Sequence, residues 1–579
     1  MLTLILSYIS LTILLVLLVK SLQRVVERGS KSKKLSNKAK RKREKEHQYN
    51  ENQLETLSKD LNDKIVKSIT NLNGPQLIES GRLHKTNPSL VTKTFLFKAL
   101  KITKKLNCIT EVVKDCLTTA ENLDSKNAFD LPLYNVPVTL KECFQTKGSA
   151  STVGISKFLD NIATEDCVLV KVLKHCGAVP FAKTNLPQMM LSFEASNPIY
   201  GETSHPLNPK FGPGGSSSGE GCIIAAGGSV LGFGTDTGGS IRIPGHICGI
   251  CSFKPTMNRL SQSGIIGPNA MAALATSAGP MARDIDTIVM AMRALCCEKM
   301  FELDPHVVPI KFRDQMYTNK KPLRIGYFDD DGYMKPIPAC QRAIKITKES
   351  LEEAGHTLVP YKPYEKLIME DLNCAGFADG GESFMELLEN DAVDVSIKLY
   401  HSIWTTPWIF RKIYAYFLSF KYPRIAKNYE AYYGKGDTTV NKLWKMRGKI
   451  EQYKSEFWKE WREKYKIDAL ICPVSPIVAS PKGNLSNLTA MGSYTAVFNL
   501  VNGPAGTVPV TRVTQEDVDD LQTYKDHYED SLSELVKNAC SGSINMPVSV
   551  QCASYPFREE VCLRLMKEVE SLLPMKNDS

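Results

Sequence analysis

The sequence predicts an α/β protein built around a large mixed β-sheet. Short apolar runs, such as residues 166–173 and 178–183, predict strands, and they alternate with stretches of helical spacing from about Gly74 onward. Glycine-rich turns separate these runs, and no internal repeat of fixed period is present. With 579 residues, 43% of them hydrophobic and 23% charged, the chain is long enough for several small domains or one large α/β domain with additions.

Residues 1–29 form the first predicted domain, a transmembrane anchor. Residues 2–19 carry no charge, and a helix of that length reaches roughly 27 Å, just enough to span a thin bilayer. A cleaved signal peptide is the alternative, but here the basic residues follow the apolar run and no small-residue cleavage site is present. The basic run keeps its side of the membrane cytosolic. We therefore expect an integral protein of an intracellular membrane whose body faces the cytosol.

Residues 30–73 are polar and charged with helical spacing, and they predict a basic helical stalk. The formal net charge of +10 arises here, because residues 20–47 contain twelve Lys and Arg against three Glu, which leaves about +1 for the rest. The body therefore lacks the basic footprint of a nucleic-acid-binding protein. The sixteen cysteines are scattered, and the C-x-x-C of Cys248–Cys251 has no second pair or nearby histidines, so we expect reduced thiols and no metal site.

Residues 74–579 form the predicted main domain, within which residues 395–426 have a distinct composition. Nine aromatic residues lie between Tyr400 and Tyr422, interspersed with Arg and Lys, and Pro407 divides the stretch into two predicted helices. Such a mixture is typical of a helical hairpin that rests on a membrane surface. A buried helical hairpin or a dimer interface is the alternative. The predicted anchor leads us to favour membrane contact.

Three segments of the main domain together contain a nucleophile, a proton relay and a base. Ser240 ends a turn in which two glycines allow successive N–H groups to converge, as in an oxyanion hole. Lys141 follows an apolar stretch, and burial can lower a lysine pKa by several units from about 10.4, so that this amine can act as a base. Ser216, which lies among glycines, can pass the proton of Ser240 to Lys141.

Each segment alone has an ordinary explanation. Glycine–serine turns are common as loops and phosphate cradles, and a single lysine is usually a surface residue. Residues 215–219 also fit the G-x-S-x-G pattern of α/β hydrolases with Ser217 as nucleophile, but residues 208–214 are loop-like where that pattern requires a strand. The conjunction of the three segments therefore carries the prediction of a serine–serine–lysine site suited to cleaving amides.

These motifs resemble those of the amidase signature family. The cluster Gly214–Gly221, the run Gly234–Pro244 and the segment Cys251–Thr256 follow one another as they do in that family. The likeness extends nearly end to end to membrane-bound members that hydrolyse fatty-acid amides. It implies the amidase signature fold, which is a twisted mixed sheet surrounded by helices, a homodimer, the endoplasmic reticulum, and no metal or cofactor. The anchor and the aromatic hairpin fall where those members contact the membrane.

The resemblance also implies roles for individual residues. Lys141 would be the base, Ser216 the bridging serine and Ser240 the nucleophile that forms an acyl-enzyme. Other residues would hold the oxyanion, line the acyl channel or support the site: Thr237, Gly238, Gly239 and Ser240 for the oxyanion, Met190, Phe193, Thr235 and Phe377 for the channel, and Ser217 and Arg242 in support.

The sequence thus predicts a membrane-bound serine hydrolase that cleaves fatty-acid amides, such as N-acylethanolamines and primary fatty amides, to a free fatty acid and an amine. One alternative is an amidase for small polar amides or lipid esters, or an amidotransferase subunit with the same triad. The predicted anchor and aromatic hairpin argue against it. Another is a non-catalytic membrane scaffold of the same fold, against which the presence of Lys141, Ser216 and Ser240 argues.

Overall fold

The central element of the computed structural model is a mixed sheet of eleven strands in the order β1-β3-β2-β6-β8-β7-β12-β13-β11-β9-β10, with β4 and β5 paired separately. The structure describes residues 2–575 apart from 127, 268–273, 363–375, 423, 425 and 428–438, with side chains from Gly29 onward. The strands are β1 (Ile109–Val112), β2 (Pro137–Lys141), β3 (Val179–Thr184), β4 (Ser196–Asn197), β5 (Gly201–Glu202), β6 (Leu231–Asp236), β7 (Cys251–Lys254), β8 (Ser277–Ala282), β9 (Arg324–Tyr327), β10 (Thr357–Pro360), β11 (Ala469–Pro473), β12 (Ala505–Arg512) and β13 (Pro547–Ser554).

Helices surround this sheet, as predicted for the fold class. The α-helices described are Leu2–Ser58, Asp63–Thr70, Gly74–Arg82, Pro88–Leu106, Cys116–Ser125, Val168–His175, Ser218–Ala225, Arg242–Cys248, Ile285–Leu295, Glu298–Leu303, Asp314–Tyr317, Pro338–Glu353, Glu382–Leu387, Lys398–Thr405, Trp408–Ser419, Val440–Lys459, Ser493–Leu500, Gln515–Leu521, Ser531–Ala539 and Glu559–Leu572. Short 3₁₀ segments (Ser156–Asp160, Gln188–Met190, Val395–Ile397, Leu485–Asn487 and Thr489–Gly492) and one π-helical turn (Glu460–Tyr465) complete them.

Strands β2 and β6 bring Lys141 and the turn that carries Ser240 to one edge of the sheet. β2 pairs in parallel with both β3 and β6, and Leu140 lies opposite Phe233. Every residue of β2 and β6 is buried, as expected for parallel strands covered by helices on both faces. Because parallel strands end at the same edge of a sheet, Lys141 at the end of β2 and Asp236 at the end of β6 lie at the same side of the domain.

One of the two predicted strands is wrong. Residues 178–183 largely coincide with β3, but the run 166–173 overlaps the helix Val168–His175. A short apolar run fits a buried strand or a buried helix equally well, because periodicity does not separate the two. Here Lys171 and Lys174 lie on the partly exposed side of the helix, a spacing of three that fits a helical face.

The first helix, Leu2–Ser58, covers the predicted anchor and most of the predicted stalk. The side chains of residues 1–28 lie outside the described part, so the anchor stays a prediction. Among the helices whose residues are described, none combines the length and the apolar character needed to cross a bilayer. The far end of this helix packs on the main domain, because Leu57 belongs to its hydrophobic core and Leu54 packs against that core.

The aromatic hairpin consists of two helices, as the position of Pro407 predicts: Lys398–Thr405 and Trp408–Ser419. They differ in burial. In the first helix Tyr400 and Trp404 point inward and stack with each other at a ring-centroid distance of 5.6 Å. The second helix exposes a row of large apolar side chains together with the residue that follows it: Trp408, Ile409, Phe410, Ile413, Tyr414, Tyr416, Phe417 and Phe420.

Candidate active site

A cavity of about 440 Å³ lies at the sheet edge where β2 and β6 end. Its volume is in the range of small-molecule sites. Both polar and apolar groups line it, and we refer to the two sets as its polar wall and its apolar wall. The polar wall includes Ser216, Thr235, Thr237, Gly238 and Ser240, and the apolar wall includes Met189, Met190, Leu191, Phe193, Ile265, Ile266, Leu274 and Tyr400.

Lys141 lies at the base of the polar wall and is completely buried. Its amine donates to Ser216 Oγ at 2.8 Å and to Thr235 Oγ1 at 3.0 Å, with the Thr235 carbonyl oxygen at 3.4 Å. The preceding residues Val138 and Leu140 are buried as well, so this side chain has little access to water. Ser216 is therefore held in direct contact with a desolvated amine.

Burial lowers the pKa of Lys141 to about 8. The cause is the loss of hydration of the charged ammonium, which outweighs the opposing effects of Cys143, Asp236 and Glu220. Within the described residues Lys141 forms no ion pair with a carboxylate. Near neutral pH a substantial fraction of this amine is thus unprotonated, which is the state that can accept a proton.

The two serine segments are joined through their backbones. The N–H of Ser217 donates to the carbonyl oxygen of Ser240 at 2.9 Å. Gly215 packs against a third segment of the chain, because a Cβ at that position would lie 2.5 Å from the carbonyl oxygen of Ser192. Ser216 and Ser240 both line the cavity, although no hydrogen bond between their hydroxyls is found in the described part of the chain. Catalytic hydrogen bonds are often longer in structures without substrate.

The turn that carries Ser240 is held by a buried carboxylate, Asp236. It accepts from the N–H groups of Gly239 at 2.8 Å and Ile241 at 3.0 Å, and from the guanidinium of Arg242 at 2.8 and 3.0 Å. Burial raises the pKa of Asp236, but the charge and hydrogen bonds of Arg242 more than offset this and hold the pKa well below its usual range. The carboxylate therefore stays ionised and fixes the turn.

Arg242 connects this turn to distant parts of the sequence. Its side chain is fully buried and also donates to the carbonyl oxygen of Thr495 at 2.7 Å, to Asn499 Oδ1 at 2.6 Å and to Gln551 Oε1 at 2.8 Å. With the two bonds to Asp236, every direction of its planar fork is satisfied. The predicted supporting role of Arg242 thus has a physical basis in this structure, as the central contact of the turn.

The predicted oxyanion donors divide into two groups. The N–H of Gly239 is engaged by Asp236, so among the four predicted donors we assign it the role of shaping the turn. Its φ of +126° and the 2.3 Å that would separate a Cβ from Thr495 Oγ1 make glycine necessary there. The N–H groups of Thr237, Gly238 and Ser240 have no hydrogen-bond acceptor in the described residues. They are available to a ligand in the cavity.

The remaining predicted residues lie at or behind the cavity wall. Met190, Phe193 and Thr235 line the cavity. Ser217 is buried behind it, with its hydroxyl 3.4 Å from the Thr235 carbonyl oxygen. Phe377 is the exception to the predicted channel: it is not among the described lining residues and packs behind Tyr400 at a ring-centroid distance of 5.4 Å.

Sequence reasoning missed several residues that organise the site. Asp236 lies in the run Gly234–Pro244, six residues before Arg242. That spacing is the signal that could have predicted their ion pair. No local pattern marks Asn499 or Gln551, which lie more than 250 residues from Arg242 in sequence. Groups of His, Cys, Asp and Glu able to hold a metal ion are absent from the part of the chain that the structure describes.

Comparison with known proteins identifies relatives of this chain. The family model described as "Amidase" matches residues 90–563. The chain is 41% identical over 505 residues to "Fatty-acid amide hydrolase 1" of Sus scrofa. The aligned residues cover 86% of this chain and 85% of that protein. It is 35% identical over 488 residues to "Fatty acid amide hydrolase 1" of Caenorhabditis elegans. The aligned residues cover 83% of this chain and 84% of that protein.

A solved structure has the same fold. It is titled "Fatty acid amide hydrolase" and superposes with a TM-score of 0.76, covering 94% of this chain and 95% of that chain. The sequence identity in this comparison is 24%, so it bears on the fold alone. The predicted mixed sheet surrounded by helices is thereby confirmed as the architecture of known amide hydrolases.

Proposed function

This chain belongs to the amidase family and is an amide hydrolase, and we propose that it cleaves fatty-acid amides at a membrane surface through Ser240, Ser216 and Lys141. The observation that carries the proposal is the 2.8 Å contact between the desolvated Lys141 amine and Ser216, in a cavity that Ser240 also lines. The names of the two relatives support a lipid amide as the substrate.

In the proposed mechanism Ser240 Oγ attacks the carbonyl carbon of the amide. Its proton passes to Ser216 Oγ, while the proton of Ser216 passes to neutral Lys141. The negative oxygen that develops accepts from the free N–H groups of the turn, Thr237, Gly238 and Ser240. These donors require no reorganisation during the reaction, because Asp236 and Arg242 already hold the turn.

Cleavage of the C–N bond requires a proton on the departing nitrogen. The protonated Lys141 returns its proton through Ser216 to that nitrogen, which leaves as the amine, and Ser240 keeps the acyl group as an ester. Water then attacks this ester and gives its proton to Lys141 through the same relay. The fatty acid departs, Ser240 recovers its proton, and every proton taken by Lys141 is returned.

The shape of the cavity supports an apolar acyl group as the part of the substrate that is bound. Met190, Phe193, Leu274 and Tyr400 belong to the apolar wall of the cavity that Ser216 and Ser240 also line. Burial of an acyl chain against such a wall contributes about 0.8 kcal/mol per methylene group. A small polar amide would leave this wall exposed to water, which argues against the alternative substrates.

The proposed membrane contact involves the helix Trp408–Ser419 and Phe420. Its exposed side chains are large and apolar, with Phe417 66% and Phe420 73% accessible. Lys412 lies over the ring of Trp408 at 4.8 Å, an arrangement suited to the boundary between lipid headgroups and acyl chains. A continuous patch of this kind marks an interaction surface. The predicted anchor, the homodimer and the endoplasmic reticulum location stay predictions.

The decisive experiment for the chemistry is hydrolysis of a long-chain fatty ethanolamide by the detergent-solubilised full chain. Wild-type protein is expected to hydrolyse it, and Ser240→Ala is expected to be inactive while keeping its fold. Undiminished hydrolysis by Ser240→Ala would exclude the proposed nucleophile. A wild type that reacts with a fluorophosphonate at Ser240 yet hydrolyses only short polar amides would exclude the lipid substrate.

The membrane contact is tested separately by vesicle flotation. The double variant Phe417→Asp/Phe420→Asp is compared with Leu83→Asp, which places one aspartate on an exposed leucine outside this helix. To separate the patch from the predicted anchor, both are made in a chain that lacks residues 1–29. Flotation is expected to fall only for the double variant. Equal flotation of the double variant and the control would contradict a role of the patch in membrane binding.

A further inference from the structure

A second cavity, of about 580 Å³, lies at the opposite edge of the sheet and is lined by five cationic side chains. We call it the basic cavity. Its cations are Lys67, Lys98, Lys101, Arg283 and Arg512, and the acidic residue among its described lining is Asp63. The excess of cations is local, because the main domain as a whole is nearly neutral.

The basic cavity is separate from the candidate active site. β6 runs from Leu231, near the basic cavity, to Asp236 in the active-site turn, and six residues of strand span roughly 20 Å. Arg283 follows Ala282, which pairs with Leu231 at the far end of β6. The helix Ser218–Ala225 likewise begins next to the active-site serines and ends at the basic cavity.

Two of the cations, Lys98 and Arg283, lie side by side. A Cβ added to Gly227 would lie 2.8 Å from Lys98 Nζ and 3.9 Å from Arg283 Nη1, so both nitrogens flank the same point. Neither residue forms an ion pair in the described part of the chain. Burial lowers the pKa of Lys98, and the charge of Arg283 lowers it further, as expected for like charges held together.

Structural roles explain only part of this arrangement. Arg283 Nη2 donates to the carbonyl oxygens of Thr70 at 2.8 Å and Leu72 at 3.1 Å, and Lys98 donates to Thr70 Oγ1 at 2.9 Å. These bonds hold the end of the helix Asp63–Thr70, but their acceptors are neutral oxygens, and the carboxylate that acts on the charge of Arg283 is that of the adjacent Asp284. Asp63 is almost fully exposed and lies 3.4 Å from Lys101, so it does not neutralise the inner pair.

The wall of the basic cavity is partly apolar. Leu207, Ile250 and Pro547 line it beside the cations, and Leu207 is 54% exposed. An oxyanion with an attached apolar group would satisfy both parts of this wall: the charged group would neutralise Lys98 and Arg283, and the apolar group would cover Leu207 and its neighbours.

We propose that the basic cavity is a binding site for a phosphate or carboxylate group, carried by a small amphiphile, that is distinct from the site of amide hydrolysis. Nη1 and Nε of Arg283, which donate to no acceptor in the described part of the chain, and the ammonium of Lys98 would contact the oxyanion directly. Lys67, Lys101 and Arg512 would add to the attractive potential at the mouth. This proposal concerns binding alone, so its test does not depend on the proposed function.

The test is calorimetric titration of the detergent-solubilised full chain with hexyl phosphate, inorganic phosphate and hexanol. Saturable binding of hexyl phosphate that weakens at high ionic strength is expected, with no binding of hexanol. Inorganic phosphate is expected to bind several-fold more weakly than hexyl phosphate, and equal affinities would contradict the amphiphile part of the proposal. Absence of saturable binding of both phosphates would overturn the proposal.

Variants locate the binding to this cavity. The double variant Lys98→Gln/Lys101→Gln is expected to weaken hexyl phosphate binding about tenfold or more. Lys104→Gln on the same helix is the control, because Lys104 pairs with Glu51 and does not line the basic cavity; it is expected to stay within about twofold of wild type. Since Lys98 forms no ion pair in the residues described and lies next to the like charge of Arg283, its replacement is expected to leave the thermal midpoint unchanged or raised. Equal affinity of the double variant and wild type would place the ligand elsewhere and refute the proposal.

Discussion

Because Lys141 is the base in the proposed mechanism, its pKa predicts how activity depends on pH. The hydroxyl of Thr235 is expected to shift that dependence. With a pKa of about 8 for Lys141, roughly one tenth of the amine is neutral at pH 7, against roughly one part in 2,500 for an unperturbed lysine near 10.4. The difference of about 2.4 pKa units corresponds to about 3 kcal/mol. Because the neutral amine is the active form, kcat/KM is expected to rise with pH and to level off above a midpoint near pH 8.

Thr235→Val should move this midpoint to lower pH. Thr235 Oγ1 accepts a hydrogen bond from Lys141 Nζ at 3.0 Å, and such a bond favours the protonated amine. Its loss destabilises that form by about 1 kcal/mol, which lowers the pKa by about 0.7 units. Thr237→Val is the matched control, because Thr237 lines the same cavity but its hydroxyl bonds to Thr276 at 2.9 Å and not to Lys141.

The assay measures kcat/KM for an uncharged amide between pH 6 and 10, with the rate of fluorophosphonate labelling as a second readout that does not involve amine departure. The midpoint for Thr235→Val is expected below that of wild type in both, and that for Thr237→Val unchanged. A midpoint for Thr235→Val equal to or above that of wild type would refute the assignment of Lys141 as the titrating base. So would an unchanged profile in Lys141→Ala.

Three further outcomes follow from the geometry of the site. Gly239→Ala is expected to abolish activity and lower the thermal midpoint, because its Cβ has no space, whereas Gly238→Ala, with nothing within 4 Å of the added carbon, is expected to keep the wild-type midpoint. Arg242→Lys is expected to cost about 3 kcal/mol or more in urea unfolding, against at most about 1 kcal/mol for Arg293→Lys in an exposed ion pair; similar costs would contradict a central role. Ser216→Ala is expected to slow fluorophosphonate labelling by about a hundredfold or more, and an unchanged rate would exclude the relay.

The sequence predicted those parts of the structure that depend on local chemistry. The turn around Ser240 was recognisable because glycines and a serine recur there at short spacing, and the break at Pro407 because proline lacks an N–H donor. The burial of Lys141 was recognisable from the apolar stretch that precedes it. In each case the residues that determine the feature are neighbours in the chain.

Features that depend on long-range packing were not accessible in this way. The run 166–173 folds as a helix because its neighbours cover one face of it, which its apolar character alone does not reveal. Phe377 resembles a channel residue, yet Tyr400 stands between it and the cavity. The clamp on Arg242 needs Asn499 and Gln551, whose approach depends on helix Ser493–Leu500 and strand β13 packing beside the turn.

The same burial acts in opposite ways on the two charged groups next to the nucleophile, and the difference lies in their partners. Lys141 meets hydroxyl and carbonyl oxygens without a carboxylate, so loss of hydration favours its neutral form. Asp236 meets a guanidinium and three backbone N–H groups, so it stays ionised despite equal burial. Asp236 still acts to raise the pKa of Lys141, but the loss of hydration of the buried ammonium outweighs this effect. One buried site thus holds a fixed anion beside an amine whose pKa is lowered to about 8, because the anion has an arginine partner and the amine has no carboxylate partner in the described part of the chain.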